Sequence, residues 1–520
     1  MTGTGPRIAG GMVAAGLVVG VAELVAAVVG AGSAPLAAVG ATVVDRTPDA
    51  VREWAIDAFG TNDKVVLFSI MGMVAAVVAA IAGVVERDGR PLGSIVFAVF
   101  GIVAAAAAVT RPGASWTWAL PTVIGVGAGI VALRWSSRRV AASTAEPAAR
   151  IESPPAAEIS DTTSRVDRRG VMRGIVGVGA LAAAAGVTGR VLGVRTRGVG
   201  AERAAVRLPV PNSPAPPIDP AADLRIPGLA PYLTPNSDFY RIDTALVVPQ
   251  VSVDGWSLRI HGMVDREIRL GYADLAARPA VERLVTLTCV SNPVGGDLIG
   301  NARWLGYRLA ELIAEAGPHP DADMVLSRSV DGFTAGSPLT ALTDGRDALL
   351  AVGMNGEPLP VEHGYPARLV VPGLYGYVSA TKWVTELEIT RFDRAQAYWT
   401  KRGWSERGPI KTGTRIDTPG GGRELRPGRI PVAGVAWAQH RGITAVEVQI
   451  DGGPWQSARL AAEPSIDTWR QWTYDWDATP GPHTIRARAV DETGRPQTEE
   501  VRGVLPDGAT GYPAVSVRVG

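Results

Sequence analysis

The sequence predicts a fold of three parts: an N-terminal all-α bundle that spans a membrane, a mixed α+β domain, and a C-terminal β-sandwich. Three observations predict it. Long apolar stretches fill residues 1–200, alternating apolar strands and an amphipathic helix follow from residue 224, and short strands between tight turns make up residues 425–520. A chain of 520 residues with a mean hydropathy of +0.14 is also too long for one ordinary domain and too apolar to lie wholly in water.

Four apolar stretches come first, at residues 8–30, 65–85, 93–110 and 116–135. Each is long enough to cross a bilayer, since about 20 apolar residues span its hydrocarbon. Trp116, Trp118 and Trp135 stand at the ends of the fourth stretch, where interfacial aromatic residues are common. We therefore expect membrane helices, with buried helices of a soluble core as the alternative.

A fifth apolar stretch, residues 174–193, follows a segment that resembles a twin-arginine export signal. Residues 164–173 contain the paired Arg168 and Arg169, with the apolar Val171 two places on. This resemblance predicts passage through the twin-arginine export machinery. The alternative is that these arginines are ordinary basic residues at the end of a helix, with no role in export.

Arginines set the predicted orientation. Those between the fourth and fifth stretches place this loop in the cytoplasm: Arg138, Arg139, Arg150, Arg165, Arg168 and Arg169. Everything after Val194 then lies outside the cytoplasm, as does the acidic loop 31–64. The predicted localisation is the cell membrane, with several passes and the part after Val194 on the extracytoplasmic side.

Composition excludes several classes of function. The net charge of +1 gives no basic surface for nucleic acid. None of the five histidines lies in an apolar stretch, so a haem with histidine ligands does not fit there. Glu23 is the one carboxylate in these stretches, which argues against an ion pathway and leaves an anchor in the lipid bilayer or a docking site.

The single cysteine, Cys289, excludes disulfides within the chain and cysteine-rich zinc or iron-sulfur sites. A lone thiol is either a small buried apolar group or a chemical one. Cys289 follows the apolar segment 283–288 and opens a glycine-rich loop, residues 289–296, where backbone can approach a ligand closely. A strand end is a rigid mount for a metal ligand, which favours chemistry.

The soluble part begins with a segment dense in Pro and Ala, residues 201–223, which predicts a semi-extended linker. Strands are predicted at 256–261, 283–288, 368–371 and 382–389, a helix at 309–316, and a hairpin turn at Asn355-Gly356. Further short strands, at 445–450, 469–476 and 483–490, predict the C-terminal sandwich.

The loop Cys289-Val290-Ser291-Asn292 resembles the sulfite oxidase family, whose Cys-x-x-Asn loop supplies one thiolate to molybdenum. Four further segments carry the resemblance: 235–241 (PNSDFYR), 355–360 (NGEPLP), 363–372 (HGYPARLVVP) and 375–383 (YGYVSATKW). It implies a sulfite-oxidase-type molybdopterin domain at 224–393, a connecting segment at 394–424 and an immunoglobulin-like dimerisation domain at 425–520, after the membrane region 1–200 and the linker 201–223.

The resemblance also implies a molybdenum-molybdopterin cofactor, with Cys289 as metal ligand and catalytic residue. Molybdenum would take two sulfurs from the pterin and a soft thiolate from the protein. Arg368 and Lys382 occupy positions that the family uses for the cofactor phosphate, His363 should donate to the cofactor, and the backbone amides of residues 379–381 should wrap the phosphate. Residues 327–333 should line another edge of the pterin. The other cofactor-binding residues implied are Asn236, Phe239, Tyr240, Arg241, Asn292, Ser379, Ala380 and Thr381.

Two departures from the family bear on the substrate. Sulfite oxidases follow the Cys-x-x-Asn with paired arginines that bind an anion, whereas this chain has Pro293 and Val294. They also place a tyrosine near the metal before the Asn-Gly turn, where Val352 stands here. We therefore expect two-electron oxygen-atom transfer with a less charged substrate than sulfite, such as a sulfoxide.

The expected electron-transfer partners are inferred from the redox groups that the sequence does not offer. Nothing in the sequence offers a haem or an iron-sulfur cluster, so the electrons need a separate electron-transfer protein or a quinone-linked membrane partner. The resemblance adds a homodimer through the C-terminal domain. Two competing functions are a non-enzymatic surface receptor that retains the fold, which would tolerate Cys289→Ser, and a membrane signalling or transport protein.

Overall fold

The computed structural model describes residues 4–48, 51, 54–55, 58–59, 62–144 and 168–520. The contacts within the chain divide it into two units. The first comprises Met1–Gly198 and Ala245–Val248, and the second comprises Val199–Thr244 and Pro249–Gly520.

The first unit is mainly helical. Its helices are α1 (Thr4–Val29), α2 (Pro35–Arg46), α3 (Asp63–Val85), α4 (Leu92–Val109), α5 (Leu120–Thr144) and α6 (Arg168–Arg197), with the short strands β1 (Glu86–Arg87) and β2 (Arg90–Pro91) between α3 and α4. Within the described residues, five helical spans are long and apolar enough to cross a membrane: Thr4–Val29, Asp63–Val85, Leu92–Val109, Trp116–Ala142 and Gly170–Gly193. The five predicted apolar stretches are confirmed as helices.

Helix α2 was not predicted, because it lies in the segment 31–64, which the sequence predicts to be a loop. Pro35 starts it, in the first turn where its missing N–H removes no hydrogen bond. Its residues Ala37, Ala38 and Gly40 are buried, so small side chains rather than a long apolar run hold the helix in place. Of the twin-arginine motif, residues 164–167 lie outside the described residues, and α6 starts at Arg168.

Helix α1 packs along α3, α5 and α6. Glycines bring the backbones of α1 and α6 together: a Cβ at Gly20 would lie 2.3 Å from the carbonyl oxygen of Ala182, and a Cβ at Gly189 would lie 2.6 Å from the backbone nitrogen of Leu24. Small residues allow this close approach, which stabilises helix pairs in lipid. Helix α6 is therefore a packed member of the helical unit.

The second unit begins with two five-stranded sheets. The first sheet has the order β10 (Glu357–Pro358), β9 (Leu349–Met354), β6 (Ile299–Arg308), β5 (Val281–Thr288), with β11 (Arg368–Val370) also paired to β9. The second has the order β4 (Ile268–Gly271), β3 (Ser257–Gly262), β12 (Val384–Thr390), β7 (Met324–Ser329), β8 (Thr334–Pro338). The helices of this unit are α7 (Gly200–Ala205), α8 (Tyr272–Ala276), α9 (Leu309–Ala316), α10 (Leu339–Thr343) and α11 (Gly376–Ser379). This is the mixed α+β layer that the sequence predicts.

Several predicted elements of this layer are confirmed. The amphipathic helix at 309–316 is α9, which buries Leu309, Leu312 and Ile313 and ends at the left-handed Gly317. The Asn-Gly hairpin joins β9 to β10 with φ of 51° at Asn355 and 85° at Gly356. Two positive φ angles are what a type I′ turn requires, so an Asn-Gly pair fits this turn.

The C-terminal region consists of two more sheets. One has the order β13 (Gly413–Thr418), β15 (Gly428–Trp437), β19 (Arg470–Ala478), β18 (Arg459–Leu460), and the other has the order β14 (Glu424–Leu425), β21 (Ala514–Val519), β20 (Gly481–Asp491), β16 (Ile443–Ile450), β17 (Gln456–Ser457). Both contribute to one apolar core, which includes Trp472 and Trp476 from the first sheet and Val446 and Ile485 from the second. A β-rich C-terminal region is thus present, as predicted.

The segment 201–223, which composition predicts to be a linker, is instead part of the folded second unit. The backbone N–H of Asn212 donates to the carbonyl of Ala280, and that of Glu282 donates to the carbonyl of Ser213, so the segment extends the edge of β5. Ala222 is fully buried. Proline keeps this segment extended, but its remaining backbone groups pair with a sheet edge, a partner that composition alone does not reveal.

Candidate active site

The first sheet carries Cys289 immediately after β5. The thiol side chain is buried, and the backbone N–H of Cys289 donates to the carbonyl of Leu298 at 2.9 Å, which closes the following loop. Asn292 holds this loop from inside, because its Oδ1 accepts from the backbone N–H of Leu298 at 2.9 Å. Burial raises the pKa of the Cys289 thiol, and hydrogen bonds from Ser291 oppose the rise. The lone cysteine is therefore fixed at a strand end, as the sequence predicts.

Aromatic rings form one side of the site. Phe239 stacks on Tyr240 at 5.3 Å between ring centroids and meets Trp304 and His363 edge-on at 5.8 and 5.6 Å. Burial raises the pKa of the Tyr240 phenol, and the nearby Cys289 adds to this effect while Arg368 opposes it. Tyr240 is thus within electrostatic range of both the thiol and a buried cation, which supports its predicted place beside the cofactor.

His363 lies deep in the site, with its side chain 2% exposed. Burial, together with the charges of Arg368 and Lys382, lowers its pKa to about 3, so the imidazole is neutral near pH 7. Its Nε2 lies 3.2 Å from the carbonyl oxygen of Asn236, which can only accept, so Nε2 carries the hydrogen. The buried Nδ1 has no hydrogen-bond partner within the described structure and must be an acceptor. In this tautomer Nδ1 is an acceptor, and the donor role of His363 toward the cofactor stays a prediction.

Two buried cations flank His363. Arg368 is 4% exposed, donates to the carbonyl of His363 at 3.1 Å, and lies over the Trp304 ring at 5.1 Å. Among the described residues, no carboxylate pairs with its guanidinium, and burial lowers its pKa to about 10. Lys382 Nζ donates to Asp243 Oδ2 at 2.8 Å and to the carbonyl of Glu362 at 3.0 Å. Burial lowers the Lys382 pKa to about 8, against the opposing effect of Asp243.

Asn236 and Arg241 are two further residues that the resemblance predicts at the cofactor. Asn236 uses its amide to bridge Glu357 and Asn355, and its carbonyl binds His363, so it shapes the wall of the site. Arg241 is exposed, and its guanidinium pairs with Asp243 at 2.8 Å. Arg241 is therefore linked to Lys382 only indirectly, by the carboxylate that both cations contact. The resemblance did not give Asp243 or Trp304 a role.

The loop 379–381 is buried, and several of its polar groups form hydrogen bonds with other groups of the protein. Ser379 Oγ donates to the carbonyl of Tyr375 at 2.9 Å, and Thr381 Oγ1 lies 2.7 Å from Ser327 Oγ. The Ala380 amide donates to the carbonyl of Gly376, which closes α11. This one amide is therefore engaged within the helix, which differs from the prediction that all three amides wrap a phosphate. The contact with Ser327 does bring the predicted 327–333 edge to this loop.

Comparison with known proteins agrees with this arrangement. The family model described as "Oxidoreductase molybdopterin binding domain" matches residues 245–399. The chain is 33% identical to the uncharacterized oxidoreductase YuiH of Bacillus subtilis (strain 168) over 153 residues, 29% of this chain and 74% of that protein. It is 28% identical to human mitochondrial sulfite oxidase over 330 residues, 53% of this chain and 60% of that enzyme's length.

Among solved structures, the chain is similar to the sulfane dehydrogenase SoxCD from Paracoccus pantotrophus. The TM-score is 0.50 at 25% sequence identity, covering 55% of this chain and 81% of that one. The family model spans β3 to β12, and the segment it matches contains Cys289, His363, Arg368 and Lys382. The chain therefore belongs to the sulfite oxidase family of oxidoreductases, whose cofactor is molybdenum-molybdopterin.

Proposed function

We propose that this chain is a membrane-anchored, extracytoplasmic oxidoreductase that catalyses two-electron oxygen-atom transfer with a molybdenum-molybdopterin cofactor. The observation that carries the proposal is Cys289, the only thiol of the chain, buried at a strand end within electrostatic range of the buried Lys382. A buried cation costs free energy unless an anion compensates it, so this pocket is suited to an anionic ligand.

The residues fit that cofactor in three respects. Cys289 offers the soft ligand that molybdenum takes from protein. Arg368, buried without a carboxylate partner among the described residues, offers a planar cation for a phosphate. His363 Nδ1 is a buried acceptor without a protein partner, so a donor on the pterin would satisfy it.

When bound, the cofactor supplies a metal centre that exchanges an oxygen atom and two electrons with a substrate. The protein's part is to hold and shield that centre. Cys289 provides a thiolate, which coordination favours over the buried thiol. Arg368 and Lys382 hold the phosphate, and Phe239, Tyr240 and Trp304 exclude water on one side.

The substrate should carry less charge than sulfite. The positions at which sulfite oxidases have anion-binding arginines hold Pro293 and Val294, and Val294 is about one-third exposed on the cysteine loop. Val352, at the position of the family's tyrosine, is buried in β9. An uncharged acceptor or donor of oxygen, such as a sulfoxide, suits this loop better than an anion, because nothing at these positions would offset an anion's desolvation.

The remaining features concern location and partners. Five helical spans support anchoring in a bilayer, and the arginines before the fifth span support export by the twin-arginine route, which carries proteins already folded around a cofactor. A separate electron-transfer protein or a quinone-linked membrane partner would exchange the electrons. The C-terminal sheets, proposed to be immunoglobulin-like, would serve dimerisation.

The test is the content of molybdenum and released pterin per chain, by metal analysis and pterin fluorescence, for the wild type and Cys289→Ser. We expect near-stoichiometric pterin in both, because the phosphate contacts remain. The variant should lose more than about 100-fold in turnover with artificial electron donors or acceptors, since even residues around a metal ligand cost 10–100-fold.

A wild-type protein without molybdenum and pterin, made in a host that supplies both, would contradict this function. The chain would then be a binding module on a membrane anchor. The replaced arginines and tyrosine at Pro293, Val294 and Val352 are the observation that favours this second candidate.

A further inference from the structure

Asp243 forms the one carboxylate contact that the described structure gives Lys382. The carboxylate and ammonium are 7% and 9% exposed and lie 2.8 Å apart. Arg241 approaches the same Asp243 carboxylate at 2.8 Å from the more exposed side. Asp243 thus connects a buried cation to an exposed one.

The Lys382 ammonium retains one donor for a ligand. An ammonium has three N–H groups, and those of Lys382 serve Asp243 and the carbonyl of Glu362. These two contacts, with the Trp383 ring 5.3 Å from Nζ, fix the ammonium in place, so binding a ligand costs little further side-chain entropy.

The charges around His363 also match a phosphate. Arg241, Arg368 and Lys382 are cations and Asp243 is an anion, which leaves a net charge of +2 while His363 is neutral. A phosphate monoester carries about −1.5 to −2 near pH 7. Without Asp243 the cluster would hold an uncompensated extra charge in a buried place, which is costly.

We propose that Asp243 is a positioning residue that keeps Lys382 charged and directed to receive the phosphate end of the cofactor. This inference rests on the proposed function for the identity of the ligand, but the phosphate site itself can be tested without the cofactor. If Asp243 only repelled an anion, removing its carboxylate would strengthen anion binding. The inference predicts the opposite, that removing this carboxylate weakens the binding of an anion.

The reason is the protonation of Lys382. Its pKa is already lowered to about 8 by burial, and Asp243 raises it, so loss of this contacting carboxylate lowers the pKa further. The groups that face Lys382 are Asp243, Arg241, Arg368, His363 and Cys289. Asp243 is the charged anion in this set while the Cys289 thiol is protonated. In Asp243→Asn the lysine should therefore be mainly neutral at pH 7.5 and recover its charge near pH 6.

The experiment measures inorganic pyrophosphate binding to the full-length protein in detergent, made without cofactor, by calorimetry at pH 6.0 and 7.5. Binding by the wild type is the reference at each pH value, because pyrophosphate itself changes its protonation between pH 6.0 and 7.5. Asp243→Asn should bind about tenfold more weakly at pH 7.5 and recover most of this loss at pH 6.0. Asp243→Glu should restore binding at pH 7.5, and Asp475→Asn, in an exposed pair with Arg429, is the matched control.

Three results would overturn the inference: unchanged or tighter binding by Asp243→Asn, an equal loss at both pH values, or no pyrophosphate binding by the wild type. If Asp243→Asn does not fold, the comparison of wild type with Asp243→Glu and Lys382→Met decides. Lys382→Met must then bind about tenfold more weakly at both pH values. Pterin content of holo-protein separates the two proposals: wild type without pterin that still binds pyrophosphate as expected contradicts the proposed function and leaves the role of Asp243 intact.

Discussion

The two ends of the site are organised by different forces. At the thiol end, neutral hydrogen bonds hold the strand and loop of Cys289: Gln439 Nε2 donates to the carbonyl of Thr286 at 3.1 Å and to Thr288 Oγ1 at 2.9 Å. At the cationic end, Arg368 and Lys382 are buried charges. The difference teaches that one chain fixes a buried thiol by packing and neutral hydrogen bonds, and keeps two cations buried a short distance away in the same domain. Changes at the two ends should therefore alter different observables.

The largest effect on cofactor binding should come from the cationic end. Arg368→Leu removes a buried guanidinium, and a hydrogen bond to a charged group contributes about 1.5–3 kcal/mol, so the affinity for the phosphate end should fall roughly 10–100-fold. The measurement is released pterin per chain when cofactor supply is limiting. Arg368→Lys should retain an intermediate amount, because an ammonium keeps the charge but loses the planar pair of donors.

Arg429→Leu is the matched control for Arg368→Leu, since it removes an exposed arginine from the C-terminal region. It should leave pterin content unchanged. Equal pterin in wild type and Arg368→Leu would break the comparison, because the cationic end would then not be an anion site.

The sequence predicted the thiol end more completely than the cationic end. A lone cysteine after an apolar strand and before glycines is visible in the chain itself, and so are helix α9 and the Asn355-Gly356 turn, because each depends on neighbouring residues. Asp243 was missed because its partner Lys382 lies 139 residues away. Gln439 was missed for the same reason, since it is 151 residues from Thr288. Contacts of this kind depend on the packing of sheets, which local patterns do not encode.

A second prediction tests the thiol end by chemistry. Burial raises the pKa of the Cys289 thiol, so in cofactor-free protein the thiolate fraction at pH 8 is below that of an exposed cysteine. Alkylation by iodoacetamide should be at least about tenfold slower than in urea, where the pKa returns to its usual value. Mass spectrometry gives a clear measurement because the chain has one cysteine.

The raised pKa of the Cys289 thiol also makes the stability of the folded protein depend on pH. A thiol whose pKa is raised on folding favours the folded state while it is protonated, so its contribution is present below the usual pKa of 9.0 and is lost as the pH rises through the folded value. Alkylation of folded protein as fast as in urea would mean that Cys289 is neither buried nor shifted. The thiol end would then resemble an open surface.

The smallest effect concerns the link between the thiol end and the C-terminal strands. Gln439 is fully buried, donates to Thr286 and Thr288, and has an Oε1 without a partner in the described structure. Gln439→Leu loses two hydrogen bonds, each contributing about 0.5–1.5 kcal/mol, but it also removes an unpaired buried oxygen, so the net loss should be about 1 kcal/mol. A slightly lower urea midpoint, with pterin content unchanged, would sharpen the comparison, because support at this end would act on stability alone. A loss of pterin as large as that of Arg368→Leu would break it, since neutral hydrogen bonds would then matter to the cofactor as much as buried charge.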